Sequence, residues 1–423
     1  MRLALILLSV IYPLNTLLAF DYKEMIRKDP AMVSGEFYHY IYTAAKETAA
    51  PKGYKPFYIS HYGRHGSRYH TGTLYFSKAM TPLQKADSLG LLTAEGKSLL
   101  AELQELLDIH QGHFGMLSER GLREHRGIAE RMYQRFPEVF SGKGGRTQIL
   151  CRSSLAPRCL SSMANFVSSL QQHSAGNIVA KMYCSDSIQK IIAPERDLKK
   201  IFSEEKIMED SIRQAECPPE KFLKRLFTDV SQTKSFLEDP VYFMKYIVDC
   251  GAIVNNLENG PDIFKHFTQE ELQGLWIARN ARFYYLLADS KECPECPHLF
   301  VDSLMKDIVI HADKAVKRSS AKVADFRFGH DTMVLPLASL LGLDGMNGRH
   351  SATHVQNLWN CTRRICMASN IQFVFYRNKE NDILVKCMYN EQEHLIPALQ
   401  SHHGCFYKWQ ELKKHITALY QRH

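Results

Sequence analysis

The stretch "KPFYISHYGRHGSRYH", residues 55–70, joins an apolar run to a dense cluster of basic side chains. Phe57 to Ser60 is rich in β-forming residues and predicts a strand. The next ten residues hold three histidines and two arginines, and no acidic residue occurs between Ser60 and Ala86. Because Arg64 and Arg68 repel each other, their proximity predicts that an anion binds between them.

Two further segments place polar residues at the end of a predicted strand. Residues 147–154, "TQILCRSS", predict a strand that leads through a turn with Arg158 into a helix. Residues 325–343, "DFRFGHDTMVLPLASLLGL", again predict strand, turn and helix, with His330 and Asp331 at the turn. Ligands of open α/β sheets bind beyond the carboxyl ends of the strands. If the three strands are parallel, their polar groups converge on one site.

The rest of the chain is mostly helical in pattern. Leucines spaced by three and four predict a helix capped by Thr93, and an amphipathic segment predicts a second helix that starts at Ser118. Residues 371–377 and 383–390 predict a hairpin. Residues 195–299 interrupt the α/β alternation with helices, which predicts an inserted helical domain between the two parts, 20–194 and 300–423, of an α/β domain.

Composition excludes several classes of protein. The 423 residues are 45% hydrophobic and 23% charged, which is typical of a globular protein. The net charge of +8 is spread along the chain, with no long basic run and no alternation of basic and aromatic residues. We therefore expect no nucleic-acid partner, and an anionic small molecule suits the mild basic excess.

The N-terminal sequence "MRLALILLSVIYPLNTLLAF" has the pattern of a secretory signal. One arginine precedes an apolar run, Pro13 interrupts it, and Ala19 offers a small residue for cleavage. We expect residues 1–19 to be a signal peptide and the protein to be secreted or periplasmic. A membrane anchor is the alternative, but no other segment approaches the about 20 apolar residues that span a bilayer, so no stable anchor is expected.

The chain has eleven cysteines, an odd number. In an exported protein several of them should form disulfides and at least one should stay free. Cys293 and Cys296 in "CPEC" are one local pair, and Cys361 and Cys366 are a second. A zinc site made of these four residues is an alternative, which an oxidising compartment disfavours.

The basic cluster also contains the groups that a phosphoryl transfer requires. Three arginines can disperse the charge of a phosphate, and the neutral imidazole of His65 can then attack phosphorus. The leaving alcohol needs a proton, for which Asp331 is the natural general acid and Glu391 the carboxylate to test next. No carboxylate cluster of the kind that holds a catalytic metal accompanies these motifs.

These motifs resemble those of the histidine phosphatase superfamily. "RHGSR" is similar to the R-H-G-x-R signature, and "GHDT" is similar to the His-Asp element of branch 2, the histidine acid phosphatases and phytases. Residues 151–166 resemble the arginine-bearing turn and helix of that branch, residues 117–137 its intervening helix, and "MYNE" a late strand. Within the branch, "RHGSRY" and the arginine turn look most like multiple inositol polyphosphate phosphatases.

The resemblance implies a fold and a set of roles. The fold is a mixed central sheet flanked by helices, with an α-helical domain beside the cleft. His65 would be the nucleophile and Asp331 the proton donor, without a metal. The phosphate would be held by Arg64, Arg68, Arg158 and His330.

Two positions depart from the multiple inositol polyphosphate phosphatases. His70 stands where the family usually has proline, which we expect to alter the loop and leave the chemistry intact. His330-Asp331-Thr332 replaces His-Ala-Glu, so the proton donor of that subfamily is not carried over. This second departure leaves open whether the substrate is phytate or a simple monoester.

Several rival functions remain to be weighed. A cysteine phosphatase would need five residues between cysteine and arginine, whereas six separate Cys151 from Arg158. A non-catalytic binder of inositol phosphate or phosphate would need neither His65 nor Asp331, and a branch 1 mutase would lack the helical insertion. A broad-specificity acid phosphatase is the alternative to an enzyme that acts on inositol polyphosphates. An enzyme that acts on inositol polyphosphates needs further cations around the cleft, for which Lys55, Lys190 and Arg282 are candidates. The sequence does not determine the oligomeric state.

Overall fold

The opening stretch forms the central strand of one large sheet. A computed structural model describes residues 20–141, 146–195 and 198–421. The predicted signal peptide, residues 1–19, lies outside these residues. The strands are β1 (Lys55–Arg64), β2 (Thr147–Ser153), β3 (Ile178–Tyr183), β4 (Lys322–Gly329), β5 (Asn370–Arg377), β6 (Ile383–Tyr389), β7 (Gln392–Glu393) and β8 (Phe406–Lys408).

Sixteen α-helices surround the sheet in the described part of the chain. They are α1 (Tyr22–Lys28), α2 (Leu74–Ser88), α3 (Ala94–His110), α4 (Glu119–Arg135), α5 (Pro137–Phe140), α6 (Pro157–His173), α7 (Asp186–Ile192), α8 (Lys199–Glu216), α9 (Glu220–Leu226), α10 (Val230–Thr233), α11 (Pro240–Ala252), α12 (Gln269–Leu287), α13 (Cys296–Val316), α14 (Asp331–Leu340), α15 (Cys361–Arg364) and α16 (Trp409–Tyr420). Short 3₁₀ helices lie at Pro30–Phe37, Val254–Asn256, Phe264–His266, Leu343–Gly345 and Ala352–His354.

The sheet is mixed, as the sequence predicted. Its strand order is β3-β2-β4-β1-β5-β6-β7, with β8 paired to β6. The strands β3, β2, β4 and β1 are mutually parallel, whereas β5 runs antiparallel to β1 and forms the predicted hairpin with β6. Because β2, β4 and β1 are parallel neighbours, their carboxyl ends lie side by side at one edge.

Local sequence signals account for several helix ends. The Thr93 side chain accepts from Gly96 N at the start of α3, and the Ser118 side chain accepts from Gly121 N at the start of α4. Both predicted N-caps are confirmed. Gly342 follows α14 with φ of +65°, the left-handed conformation that glycine adopts most readily after a helix.

Apolar side chains pack against both faces of the sheet. Helices α4, α5 and α6 cover one face, where the rings of Phe166 and Phe326 lie 4.9 Å apart. Helices α13, α14 and α16 cover the other face. The apolar core on that side continues into the helices of residues 199–287. The division of the chain into an α/β domain and an inserted domain stays a prediction.

The cysteines differ from the expected pattern of several pairs. Cys293 and Cys296 form a disulfide at the start of α13. Cys361 and Cys366 are both buried free thiols at opposite ends of a short helical turn, so the second local pair does not form. Within the described residues, no helix combines the length and the apolar character needed to cross a membrane.

Candidate active site

The carboxyl ends of β1, β2 and β4 bring the predicted site residues together. Arg64 is the last residue of β1, and His65 N donates to Gly329 O, the last residue of β4, at 2.9 Å. Ser154, directly after β2, donates from its backbone N to Phe328 O at 3.0 Å. The convergence that depended on parallel strands is therefore observed.

Backbone carbonyls hold the Arg64 side chain in one orientation. Its Nη1 donates to Glu36 O at 2.7 Å and also to Ile365 O. Nη2 lies 3.0 Å from Asp331 Oδ2, and only 2% of the side chain is exposed. Nε has no hydrogen-bond partner among the described residues. With Nη1 engaged by the backbone, Nε remains available to an oxyanion, which would share Nη2 with Asp331.

His65 is buried between the ends of β1 and β4. Its Nδ1 lies 3.0 Å from Gly66 O, a geometry in which Nδ1–H donates to the carbonyl and Nε2 keeps a free lone pair. Burial, reinforced by the positive charges of Arg64 and Arg158, holds the pKa of His65 well below its usual range. The imidazole is therefore neutral at physiological pH, the state that a nucleophile requires.

Arg68 and Arg158 complete the cationic group. The Arg68 guanidinium lies 5.4 Å from the centroid of the Phe37 ring, and Nη1 donates to Tyr69 O at 2.9 Å. Burial and the nearby charge of Arg158 lower the pKa of Arg68 to about 10, which reflects like charges held close together. Arg158 lies in the first turn of α6, and its buried Nε has no partner within the described residues.

His330 and Asp331 lie where β4 passes into α14. The His330 ring is 5.7 Å from the His65 ring, and its Nε2 lies 3.2 Å from Ser154 Oγ. Burial and the charge of Arg158 lower the pKa of His330 to about 4, so its ring is neutral at physiological pH.

The Asp331 carboxylate is oriented from both sides. Its Oδ1 accepts from Thr332 N at 2.9 Å, while Oδ2 contacts Arg64. Burial alone would raise the pKa of Asp331, but Arg64 and His330 outweigh this effect and hold the pKa below its usual value. Asp331 is therefore ionised in this arrangement.

Sequence reasoning missed the residue that anchors the "RHGSR" loop. Glu124, on α4, accepts from Ser67 N and from Ser67 Oγ, both at 2.7 Å, and from Tyr40 N at 2.9 Å. Burial raises the pKa of Glu124 despite these bonds. The sequence predicted the helix that carries this residue, but no local signal pairs it with a loop 57 residues away.

The helix approaches the loop closely because glycines face each other. A Cβ on Gly121 would lie 2.1 Å from Ser67 O, and a Cβ on Gly66 would lie 2.7 Å from Gly121 O. Only residues without a side chain fit this contact. The backbone of the loop is therefore fixed against the first turn of α4.

His70 is a buried part of the same loop. Its ring packs against Phe37, Tyr75, Phe76 and His110. Burial, followed by the charge of Arg68, lowers its pKa to about 3. His70 is therefore a neutral packing residue in this structure.

The candidate cations outside the motifs have different positions. Lys55 starts β1, nine residues before its end, which is about 30 Å from the site at 3.3 Å per residue. The suggestion that Lys55 holds a substrate phosphate is therefore wrong. Lys190 is exposed on α7. The last residue of that helix, Ile192, accepts from Tyr62 Oη, and Tyr62 Oη accepts in turn from His330 N. Arg282 lies on α12 with Nε 3.3 Å from Glu205 Oε1.

The second candidate proton donor is engaged elsewhere. Glu391 is buried, accepts from Arg131 at 2.9 and 2.7 Å, and accepts from Tyr40 Oη at 2.9 Å. These bonds hold its carboxylate away from the groups around His65. Among the described residues, no group of three or more His, Cys, Asp or Glu side chains is arranged to bind a metal ion.

Solved structures with a similar fold cover nearly the whole chain. Multiple inositol polyphosphate phosphatase of Bifidobacterium longum, in complex with inositol hexasulfate, is 21% identical with a TM-score of 0.73; the alignment covers 90% of this chain and 97% of that chain. The phytase from D. castellii is 13% identical with a TM-score of 0.65, covering 92% and 85%. Hafnia alvei phytase in complex with myo-inositol hexakis sulphate is 11% identical with a TM-score of 0.56, covering 87% and 98%.

The family assignment comes from the sequence itself. A match to the histidine phosphatase superfamily (branch 2) spans residues 63–390, more than three-quarters of the 423 residues. The match includes each of the three strand ends that converge at His65. The chain therefore belongs to branch 2 of the histidine phosphatase superfamily and is a phosphoric monoester hydrolase.

Proposed function

We propose that this protein hydrolyses phosphomonoesters, inositol polyphosphates among them, through a phosphohistidine intermediate on His65. The observation that carries the proposal is the hydrogen bond between His65 Nδ1 and Gly66 O at 3.0 Å, beside three arginines. This bond leaves Nε2 of the neutral ring with a free lone pair, close to the arginine charges that would hold a phosphate.

The phosphate would be bound by donors that are already oriented. Arg64, Arg68 and Arg158 each have a buried Nε without a partner among the described residues. Their charges would be shared by the phosphate oxygens, which lowers the cost of attack by a neutral nucleophile. His330 would add a donor to one oxygen once its Nε2 carries a proton.

Substrate binding would convert Asp331 into an acid. In the structure Arg64 Nη2 contacts Asp331 Oδ2, and that charge lowers the pKa of the carboxyl. A phosphate that engages Arg64 would weaken this contact and bring negative charge beside Asp331. Both effects raise the pKa of Asp331, so a proton would be held at the leaving oxygen when the substrate is bound.

The reaction would proceed in two balanced steps. In the first, Nε2 forms a bond to phosphorus while the P–O bond to the alcohol breaks, and Asp331 gives its proton to that oxygen. In the second, water attacks the phosphohistidine, the P–N bond breaks, and Asp331 takes the proton from water. Free phosphate and the initial protonation state are regenerated.

The choice of inositol polyphosphates rests on fold similarity and on the position of Lys190. The similar structures include proteins bound to inositol hexasulfate and to myo-inositol hexakis sulphate. Lys190 and Arg282 could receive phosphates that do not react. A broad-specificity acid phosphatase is the second candidate, because the His330-Asp331 element occurs in acid phosphatases as well as in phytases. We also propose export to the periplasm or exterior, since the N-terminal sequence has the pattern of a signal peptide.

A hydrolysis time course on phytate and on p-nitrophenyl phosphate tests the function. The wild-type protein should release phosphate from both, with or without a chelator, and phytate should be the better substrate. His65→Ala should be inactive on both, whereas the exposed control His403→Ala should match the wild type. Activity that survives in His65→Ala would refute the phosphohistidine mechanism. Turnover of p-nitrophenyl phosphate alone would favour the second candidate.

A further inference from the structure

A cavity of about 290 Å³ lies at the opposite edge of the sheet from the active site. The start of β1, the start of β4 and the end of β5 form its walls, together with the turn after α13. Phe57 lies on β1, seven residues before Arg64, so the cavity is about 23 Å from the active site at 3.3 Å per residue. The described residues that line it are Phe57, Tyr58, Ala315, Arg318, Ser320, Ala321, Lys322, Val323 and Arg377.

The cavity has a strongly cationic lining. Arg318, Lys322 and Arg377 line it, and none of its described lining residues is acidic. Within the described part of the chain, none of the three has a carboxylate at ion-pair distance, although 34 such contacts occur elsewhere. Lys55 adds a fourth positive charge, because it pairs with Arg377 across β1 and β5. Three lining cations and a fourth beside them therefore lie close together without an ion-pair partner among the described residues.

Arg377 is fixed as a donor. Its guanidinium stacks 4.3 Å from the centroid of the Phe57 ring, and Nη2 donates to Val316 O at 2.7 Å. Nη2 also donates to Ala315 O at 3.4 Å, and both bonds stabilise the end of α13. The Nε atom of Arg377 takes no part in these bonds; it is buried and has no partner among the described residues. Burial and the nearby charge of Arg318 lower the pKa of Arg377, in keeping with two like charges held close together.

The backbone at Arg318 is a second, independent observation. Arg318 N donates to Ala315 O at 3.1 Å and Ser319 N to Lys314 O at 2.9 Å, the two bonds of a Schellman motif. Arg318 therefore occupies the position after the helix where glycine is usual, and it has φ of +55°. A side chain in this conformation is strained by about 1 kcal/mol relative to glycine. The Arg318 guanidinium, whose Nη2 donates to Asn381 Oδ1 at 2.9 Å, is thus held at the cavity where glycine would be less strained.

We propose that this basic cavity, lined by Arg318, Lys322 and Arg377 with Lys55 beside it, is a second anion site that binds a phosphate group. The proposal goes beyond catalysis and does not depend on the mechanism at His65. The distance of about 23 Å through the sheet is too long for one inositol phosphate to bridge both sites. The ligand is therefore a separate anion, either free phosphate or the phosphate group of a second inositol polyphosphate.

Binding stoichiometry in the full-length protein provides the test. Calorimetry at low ionic strength would use inorganic phosphate in one arm and inositol hexasulfate in the other. The wild type should bind two equivalents of at least one of the two anions. The double variant Arg318→Asn, Lys322→Gln should lose one equivalent, because each charge-assisted bond removed weakens binding about tenfold or more. Asparagine tolerates a positive φ, so this variant keeps the turn.

Controls separate this site from catalysis and from general surface charge. The variant Lys317→Gln, Lys379→Gln removes two exposed charges beside the cavity that do not line it, and it should keep both equivalents. The double variant of the cavity should hydrolyse phosphate esters at the wild-type rate. Arg64→Ala, Arg158→Ala should lose the other equivalent, so failure of the active-site proposal is seen separately.

Three results would overturn the proposal. The first is that the wild type binds only one equivalent of each anion, and the second is that the second equivalent still binds to the cavity variant. The third is that the surface-charge control binds the second equivalent as weakly as the cavity variant does. Should the double variant unfold, Lys322→Gln alone serves, because it changes a half-buried residue at the start of β4 and leaves the turn at Arg318 untouched. It should weaken the second equivalent about tenfold. Unchanged affinity in that single variant would contradict the role of Lys322.

Discussion

Replacing Asp331 by Asn separates proton donation from phosphate binding. The asparagine keeps the size of the side chain, and its oxygen can still accept from Thr332 N, which is 2.9 Å from Asp331 Oδ1. The variant has no proton to give to the leaving oxygen. It also removes the carboxylate oxygen that lies 3.0 Å from Arg64 Nη2, and in this orientation the amide NH2 takes its place and cannot accept from that guanidinium. The substitution should therefore impair chemistry and free Arg64 for the phosphate.

The two effects differ in size and direction. Loss of general acid catalysis should slow hydrolysis of an alkyl phosphate such as phytate by about 10²–10⁴-fold. p-Nitrophenolate leaves with little help, so its release in a single turnover should slow by less than about tenfold. Two unit charges 4 Å apart interact by about 4 kcal/mol at an effective dielectric constant of about 20. In the wild type the Asp331 carboxylate and a bound phosphate repel each other. If the substitution removes a third of an interaction of this size, inorganic phosphate should inhibit the variant about tenfold more tightly.

Rapid-mixing kinetics and inhibition by phosphate measure both effects. The wild type and the variant Asp87→Asn would be run in parallel, since Asp87 is exposed at the end of α2 and has no ion pair within the described residues. We expect phosphohistidine to accumulate on His65 when Asp331→Asn turns over p-nitrophenyl phosphate. Equal slowing of both substrates would show that Asp331 does not donate the proton. Weaker inhibition by phosphate would show that Arg64 is not shared between Asp331 and the substrate.

Three further outcomes are expected. His65→Ala should still bind inorganic phosphate within about tenfold of the wild type, because the donor nitrogens of the arginines remain; calorimetry that shows no binding would contradict this. Gly121→Ala puts a Cβ 2.1 Å from Ser67 O, so it should lower the free energy of unfolding by about 1–3 kcal/mol and reduce kcat. The control Gly72→Ala should change neither quantity, because a Cβ on Gly72 meets nothing within 4 Å. The pKa of His70 is about 3 in the fold and about 6.5 in the unfolded chain, so its neutral form contributes stability above pH 6.5 that is lost as the pH falls toward 3. In His70→Phe the midpoint of urea unfolding should therefore depend less on pH between pH 7 and 4. An unchanged dependence of the midpoint on pH would refute the assignment.

The residues of the candidate site could be picked out from the sequence because each part of the site is local. The step from a β-rich run into "RHGSR" takes a few residues, and so does the step from β4 into His330 and Asp331. The caps at Thr93 and Ser118 are also short-range, since each hydroxyl accepts from a backbone N–H three residues on. The convergence of the strand ends needed one assumption, that the strands are parallel, which the structure confirms.

The contacts that tune the site could not be predicted in this way. Glu124 holds Ser67 across 57 residues, and the ion pair of Arg64 with Asp331 joins the ends of two strands. The loss of Lys55 from the candidate list follows from the direction of β1, which carries it away from the site. The pairing expected for Cys361 and Cys366 failed because spacing alone does not bring two sulfur atoms into contact.

By itself the sequence determined the elements of this protein and the chemistry at their ends. Strand and helix periods, helix caps and the spacing of arginine and histidine all act within a few residues, so they are legible before the chain is folded. Only the tertiary structure decided the strand order β3-β2-β4-β1-β5, the ionised state of Asp331 beside Arg64, and the cationic cavity at the far edge of the sheet. These features depend on which distant side chains become neighbours and on how much water is excluded between them, and both are set by packing of the whole chain.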